Sequence, residues 1–140
     1  NRMILKENTK QRADNSMAIA NICESLLKAD QAIDQLKEHF WVFGLNSQNY
    51  IQYIDLVTLG ILTSTSIHPR EVFRLAIWKG VHAIIVAHNH NSCMAQPSRA
   101  DIDTTEKLKA AGDILGIPVL DHVIVAQEDN FYSFNNEGTL

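Results

Sequence analysis

The chain has 140 residues, enough for one domain with a substantial core, and its 46% hydrophobic and 20% charged residues are typical of a folded globular protein. A formal net charge of −4 argues against bulk electrostatic binding to nucleic-acid phosphates, so we do not expect strong DNA binding. No apolar run approaches the roughly 18 residues of a membrane helix and no signal-peptide pattern is visible, so we expect no membrane association and a cytoplasmic location. The two cysteines, Cys23 and Cys93, lie far apart, which favours free thiols over a disulfide.

The N-terminal part of the chain is predicted to be largely helical. Residues 3–6 predict a short edge strand, and a polar linker follows. Ser16 is the expected N-cap of a first helix, because the apolar residues after it recur at helical spacing. Residues 29–37 predict a second, shorter helix. We therefore expect a single domain over residues 1–140, in which a helical segment over about 14–37 leads into a sheet.

Three extended segments are predicted next. Residues 40–45, Phe-Trp-Val-Phe-Gly-Leu, are so uniformly apolar that they indicate a buried strand. A polar turn at 46–49 separates them from a second apolar segment at 50–58, so the two strands predict an antiparallel hairpin. Residues 61–67 alternate apolar and hydroxyl side chains, as a half-buried strand does.

A helix is then predicted over residues 69–79. Pro69 occupies its first position and Gly80 follows its last, which is the usual asymmetry of helix ends. Its expected core face consists of Val72, Phe73, Ala76 and Ile77.

The remaining elements complete a mixed α/β pattern. An apolar, β-branched strand is predicted over 81–87, and further strands over 119–126 and 131–134. Between the strands at 81–87 and 119–126, a helix should begin at Arg99 and end at Gly116. It carries these apolar residues: Ile102, Leu108, Ala111 and Leu115. This order of elements, with no repeated βαβ unit, predicts an α/β (or α+β) fold in which a central mixed sheet is flanked by helices.

The chemically most informative stretch has the spacing H-x-H-x7-S-x2-D, formed by His88, His90, Ser98 and Asp101. Two histidines at positions i and i+2 of a strand end point the same way, because strand side chains repeat every second residue. Asp101 would lie in the first turn of the following helix, folded back over the strand end. Two imidazoles and one carboxylate form a zinc-binding set that leaves a fourth position open, as catalytic zinc sites do.

Some of these residues also have structural interpretations. Ser98 and Asp101 have the spacing of a capping box, in which the serine caps a helix and the acid bonds back to the serine N–H. Cys93 lies in the loop between His90 and Ser98, which we call the metal loop. It is either a small loop residue or an additional soft ligand. Asp121 and His122 interrupt an apolar strand. They either orient the metal ligands without binding the metal, or they form a structural salt bridge or a surface-facing pair.

The motif and its surroundings resemble the JAMM (MPN-type) metalloproteases, and in particular the RadC branch of that superfamily. The similarity extends from Glu38 to about Phe134 and includes these segments: 68–73, 87–90, 97–98 with Asp101, and 115–124. The family usually has Pro-Ser-Gly after the second histidine, whereas residues 91–93 here are Asn-Ser-Cys, without the rigid proline and the permissive glycine. The resemblance implies a JAMM or cytidine-deaminase-like architecture.

The resemblance also implies an activity. It identifies His88, His90 and Asp101 as Zn²⁺ ligands, Glu38 as the general base, and Ser98 as the group that stabilises the oxyanion. The chain would then be a zinc-dependent hydrolase of peptide or isopeptide bonds, with a peptide or protein substrate and an oligomeric state that the sequence leaves open. Two alternatives are a nucleic-acid-processing factor, because RadC relatives are traditionally linked to DNA repair, and a non-catalytic MPN scaffold.

Overall fold

The computed structural model describes residues 3–7, 9–60 and 67–140. Within these residues, six strands form one sheet and four helices connect its strands. The strands are β1 (Met3–Glu7), β2 (Glu38–Leu45), β3 (Ile51–Gly60), β4 (Ala83–Asn89), β5 (Val119–Val125) and β6 (Phe131–Ser133). The helices are α1 (Ser16–Ala29), α2 (Ala32–Gln35), α3 (Pro69–Lys79) and α4 (Arg99–Leu115).

The sheet is mixed, as predicted, and its strand order is β1-β3-β2-β4-β5-β6. Strands β4 and β5 are parallel, whereas the other neighbouring pairs are antiparallel. Helix α4 provides the crossover between β4 and β5, so the described residues contain one parallel βαβ unit and no repeat of it. All seven residues of β4 are buried, because this strand lies in the interior of the sheet and both of its faces are covered.

The two faces of the sheet are covered by different helices. On one face, Ile19 and Cys23 of α1 pack against strand side chains that point towards this helix, among them Trp41 and Phe43. On the opposite face, α3 and α4 contribute Phe73 and Leu108 to a second core. The central sheet flanked by helices is thus confirmed, and the arrangement is that of three layers.

The N-terminal helices differ in detail from the prediction. The N-cap of α1 is Asn15 rather than Ser16, and its Oδ1 accepts a hydrogen bond from the backbone N–H of Ala18 at 2.8 Å. The second helix is shorter than predicted, because Asp30 and Gln31 have extended backbones that separate it from α1. The predicted edge strand is present as β1, which pairs with β3.

The predicted hairpin is confirmed as β2 and β3. The Asn46 carboxamide oxygen accepts hydrogen bonds from the backbone N–H groups of Gln48 and Tyr50 and so closes the turn. Gly44 is required by a close approach: a Cβ atom there would lie 2.0 Å from the ring of Tyr53. The strand predicted at 61–67 falls almost wholly on residues 61–66, which lie outside the described residues.

The later helices begin and end close to the predicted positions, but their apolar faces are narrower. Gly80 ends α3 in a left-handed conformation, with φ at 67°. Ile77 was expected in the core, but its side chain is exposed, because it lies just beyond the Phe73 edge of the helix face that the neighbouring elements cover. Leu115 at the end of α4 is likewise largely exposed, whereas Leu108 is buried. None of the four described helices is long and apolar enough to cross a membrane.

Candidate metal centre

The H-x-H pair lies at the end of a buried strand. Strand β4 continues to Asn89, two residues beyond its predicted end, so His88 is within the ladder and His90 immediately follows it. His88 is buried and stacks on Phe40 of β2, with ring centroids 6.1 Å apart. The side chain of His90 is 19% exposed, so the site is accessible from the side of His90.

Asp101 completes the cluster from the first turn of α4. Its carboxylate oxygens lie 3.1 Å from His88 Nε2 and 3.1 Å from His90 Nε2, and the two Nε2 atoms are 3.2 Å apart. The ligand atoms of these three residues all lie within 4.8 Å of one another. Among the described residues, this is the group of histidine, cysteine and acidic side chains with the geometry to hold a metal ion.

Ser98 and Asp101 also form the predicted capping box. Ser98 Oγ accepts a hydrogen bond from the Asp101 N–H at 3.1 Å, and Asp101 Oδ2 accepts one from the Ser98 N–H at 2.8 Å. The structural and functional interpretations therefore coexist, because the cap fixes the carboxylate that faces the histidines. Ser98 itself is exposed, and accepting the cap bond leaves its hydroxyl proton available for another acceptor.

The hydrogen bonds around the histidines determine their tautomers. Nδ1 of His90 lies 3.0 Å from the Met94 carbonyl, which only accepts, so this nitrogen carries the proton. The Thr105 hydroxyl donates to the Asp101 carbonyl at 2.8 Å and therefore accepts from His122 Nδ1, 2.5 Å away.

The same chain of bonds reaches His88. Because His122 is protonated on Nδ1, its Nε2 accepts a hydrogen bond from His88 Nδ1 at 2.8 Å. In both His88 and His90 the lone pair is consequently on Nε2, which is the nitrogen that faces Asp101. Two such lone pairs and a carboxylate fit a divalent zinc ion.

Electrostatics in the cluster favour a charged carboxylate. Without a metal, Nε2 of His88 or His90 donates to Asp101 when that nitrogen also carries a proton. Burial by itself raises the pKa of Asp101, but these hydrogen bonds outweigh it and hold this pKa far below its usual range. Burial lowers the pKa of His122 well below its ordinary value, and the nearby His88 lowers it further, so His122 is neutral as its hydrogen bonds require. A neutral His122 can both accept from His88 and donate to Thr105.

Glu38 lies at the start of β2, the strand next to the one that carries His88. Phe40 of β2 is the partner of His88 at the end of the antiparallel ladder, and Glu38 lies two residues before Phe40, beyond the last pair of that ladder. Both Glu38 and Phe40 lie on the face of the sheet that carries His88, because side chains alternate. The protonated form of His90 donates from Nε2 to Asp101, and this hydrogen bond raises the pKa of His90; the negative charge of Glu38 adds to that shift.

Comparison with known proteins shows the family of this chain. The family model of the RadC-like JAB domain matches residues 12–139. The chain belongs to the RadC-like JAB domain family. Similar proteins include a UPF0758 protein of Chlorobaculum parvum, 49% identical over 107 residues (76% of this chain and 48% of that protein), and UPF0758 protein SH1266 of Staphylococcus haemolyticus, 42% identical over 131 residues (94% and 55%). The chain spans about half the length of the curated relatives it matches.

In this RadC-like JAB domain, the two residues that interrupt β5, Asp121 and His122, make different contacts. Asp121 accepts hydrogen bonds from the Ser133 hydroxyl at 2.6 Å and from the backbone N–H of Asn135 at 3.0 Å, so it connects β5 with the C-terminal segment. His122 faces the other way and contacts His88. The two side chains thus do not act as a pair, and of the two it is His122 that contacts a residue of the candidate metal centre.

Sequence reasoning did not identify Thr105 or Asn89. Thr105 lies on the buried face of α4, where a threonine is an ordinary helix residue, and its bond to His122 depends on the distance between α4 and β5. Asn89 lies between the two histidines in the motif. Strand alternation indicates that its side chain points away from that of His88, but its bonds to Lys37 and His39 depend on the pairing of β2 with β4. Both cysteines are free, as predicted, and Cys93 does not belong to the ligand group found among the described residues.

Proposed function

We propose that this domain is a zinc-dependent hydrolase that cleaves amide bonds in a peptide or protein substrate. The observation that supports this proposal most strongly is that the Nε2 lone pairs of His88 and His90 and the Asp101 carboxylate lie together at a partly exposed strand end. Membership of the RadC-like JAB family supports the proposal, because it places the domain in the JAMM superfamily.

Each residue has a distinct task in the proposed reaction. Zinc bound by such a set polarises a carbonyl and makes water acidic enough to lose a proton near neutral pH. Glu38, on the face of the sheet that carries His88, accepts the proton of the attacking water and delivers it to the departing amine nitrogen. Ser98 donates its hydroxyl proton towards the substrate carbonyl oxygen as negative charge develops there.

The surrounding hydrogen bonds keep the ligands ready for this task. His122 and Thr105 hold His88 in the tautomer that presents Nε2, and the Met94 carbonyl does the same for His90. The capping box fixes Asp101 against rotation. We expect the substrate to approach from the side of His90, since the side chain of His88 is only 2% exposed.

Metal analysis tests the proposal. After incubation with zinc and removal of excess metal, the protein should retain about one zinc ion per chain, and His88→Ala and Asp101→Ala should each lose it. Asn130→Ala is a matched control, because it removes an exposed polar side chain near the loop without touching the ligands. The zinc-loaded protein should hydrolyse members of a library of internally quenched peptides and branched isopeptides. Full zinc retention in both ligand variants would refute the site.

A further inference from the structure

Two asparagines alternate with the ligand histidines in the segment His88-Asn89-His90-Asn91. Because strand side chains alternate, Asn89 faces the opposite side of β4 from His88, and Asn91, which follows the strand, hydrogen-bonds to Asn89. Their amides contact the end of α2 and the start of β2, which is the segment that carries Glu38. One short motif therefore contacts both the metal ligands and the segment of the proposed base.

Asn89 makes the central contacts. It is 2% exposed, and its Oδ1 accepts a hydrogen bond from the backbone N–H of His39 at 2.6 Å. Its Nδ2 donates to the carbonyl of Lys37 at 3.1 Å and to Oδ1 of Asn91 at 3.2 Å. The backbone groups that Asn89 binds thus belong to the residues on either side of Glu38.

Asn91 extends the same contact. Its Nδ2 donates to the Leu36 carbonyl, while its Oδ1 accepts from Asn89. Asn91 stands where the family usually has proline, a residue whose side chain makes no hydrogen bond. In this chain, a hydrogen-bonding side chain at that position joins the metal loop to Leu36, two residues before Glu38.

These bonds connect the segment that carries Glu38 to the end of β4, where strand pairing does not. The β2–β4 ladder extends only to Phe40 and His88, so backbone pairing with β4 ends before Glu38 is reached. On its other side Glu38 pairs with Gly60 of β3, which does not connect it to the metal loop. A general base must lie within about 2.6–3.2 Å of the atom whose proton it accepts, so small displacements of this segment matter.

We propose that Asn89 and Asn91 are positioning residues that set the location of Glu38 relative to the metal centre. The asparagines do not touch the reacting atoms, and they act through the backbone of residues 36–39. We call the hydrogen bonds from Asn89 and Asn91 to the backbone of residues 36–39 the asparagine clamp, or clamp. The effect of the clamp on catalysis rests on the proposed function, whereas the clamp itself is a property of the folded chain. The clamp and its effect on Glu38 are therefore tested separately.

Hydrogen exchange in the metal-free protein tests the clamp. In Asn89→Ala the amide of His39 loses its acceptor, and its exchange rate should rise about tenfold or more relative to the wild type. Asn91→Ala, at an exposed position, should increase exchange at His39 to a smaller extent, with the amide of Val86 in the centre of β4 unchanged in both. In Asn130→Ala, which loses a comparable amide bond to the Cys93 carbonyl, His39 should exchange as in the wild type.

Cobalt substitution tests the effect on Glu38. With Co²⁺ as the probe, the absorption spectrum should be the same in wild type, Asn91→Ala and Asn130→Ala, because the ligands are retained. The pseudocontact shift of the Glu38 amide should change in Asn91→Ala alone, whereas that of Thr105 should stay constant as an internal reference.

The possible failures are distinguishable. If Co²⁺ does not bind the wild type, the proposed function fails, and hydrogen exchange still decides the clamp. If His39 exchange is unchanged in both asparagine variants, or if the Glu38 shift in Asn91→Ala equals that of the wild type, the positioning role is overturned.

Discussion

Nε2 of His122 lies 2.8 Å from Nδ1 of His88, and the contact is buried between β5 and β4. His88 therefore presents its other nitrogen to Asp101, and the tautomer is determined before any metal binds. The arrangement extends to Thr105, whose hydroxyl fixes His122 in turn. Metal affinity should accordingly depend on residues that never touch the metal.

Thr105→Val tests this dependence. The substitution keeps the shape of the side chain but removes the acceptor of the His122 N–H, so His88 loses its fixed tautomer. Zinc affinity, measured by competition with a chromophoric chelator, should fall roughly 10–100-fold without loss of the fold. Thr104→Val, at a neighbouring buried threonine outside this hydrogen-bond chain, should bind zinc as the wild type does. Equal affinities of Thr105→Val and wild type would contradict the account.

The hydrogen bond between Asp30 and His39 gives a pH-dependent contribution to stability. Oδ2 of Asp30 lies 2.8 Å from His39 Nε2, and this hydrogen bond lowers the pKa of Asp30 below its usual value. An acid with a lowered folded-state pKa stabilises the fold above its unfolded pKa of about 3.9, and this contribution is lost as the pH falls through the lower, folded-state pKa.

Asp30→Asn should reveal this contribution. Urea unfolding at a series of pH values should show the variant less stable than the wild type near pH 6, with a difference that shrinks as the pH falls below about 4. Asp14→Asn is a suitable control, because the side chain of Asp14 is 61% exposed beside Arg12. A difference between Asp30→Asn and wild type that grows on acidification would show that the sign is wrong.

Binding of DNA by this chain is expected to be weak. The net charge of −4 offers few phosphate contacts and therefore little counterion release to drive association. Titration of the chain into a labelled duplex at physiological salt should show a dissociation constant weaker than micromolar. Tighter, salt-sensitive binding would instead favour the nucleic-acid-processing alternative.

The residues that could be predicted from sequence are those fixed by local geometry. The spacing of His88 and His90 follows from the two-residue repeat of a strand, and that of Ser98 and Asp101 from the first turn of a helix. These are short-range relationships, so the spacing alone was sufficient to indicate a common site. The N-cap of α1 was wrong by one residue because Asn15 and Ser16 are both good caps.

Longer-range relationships were less accessible. Glu38 was identified only through the family resemblance, since its place near the metal ligands depends on the pairing of β2 with β4, which no local pattern specifies. The role of His122 was left open for the same reason, because it depends on the parallel pairing of β4 with β5. Ile77 was misplaced because helical spacing indicates an apolar face but not how much of it the neighbouring elements cover.

The most direct test of the account is Glu38→Gln in the zinc-loaded protein, assayed for metal content and hydrolysis together. Glutamine keeps the size and polarity of the side chain but removes the basic carboxylate, so about one zinc ion per chain should remain while hydrolysis of a cleaved library peptide falls roughly 10²–10⁴-fold. Ligand variants such as His88→Ala should lose zinc and activity together. A Glu38→Gln protein that retains zinc and is as active as the wild type on that peptide would contradict the assignment of Glu38 as the general base.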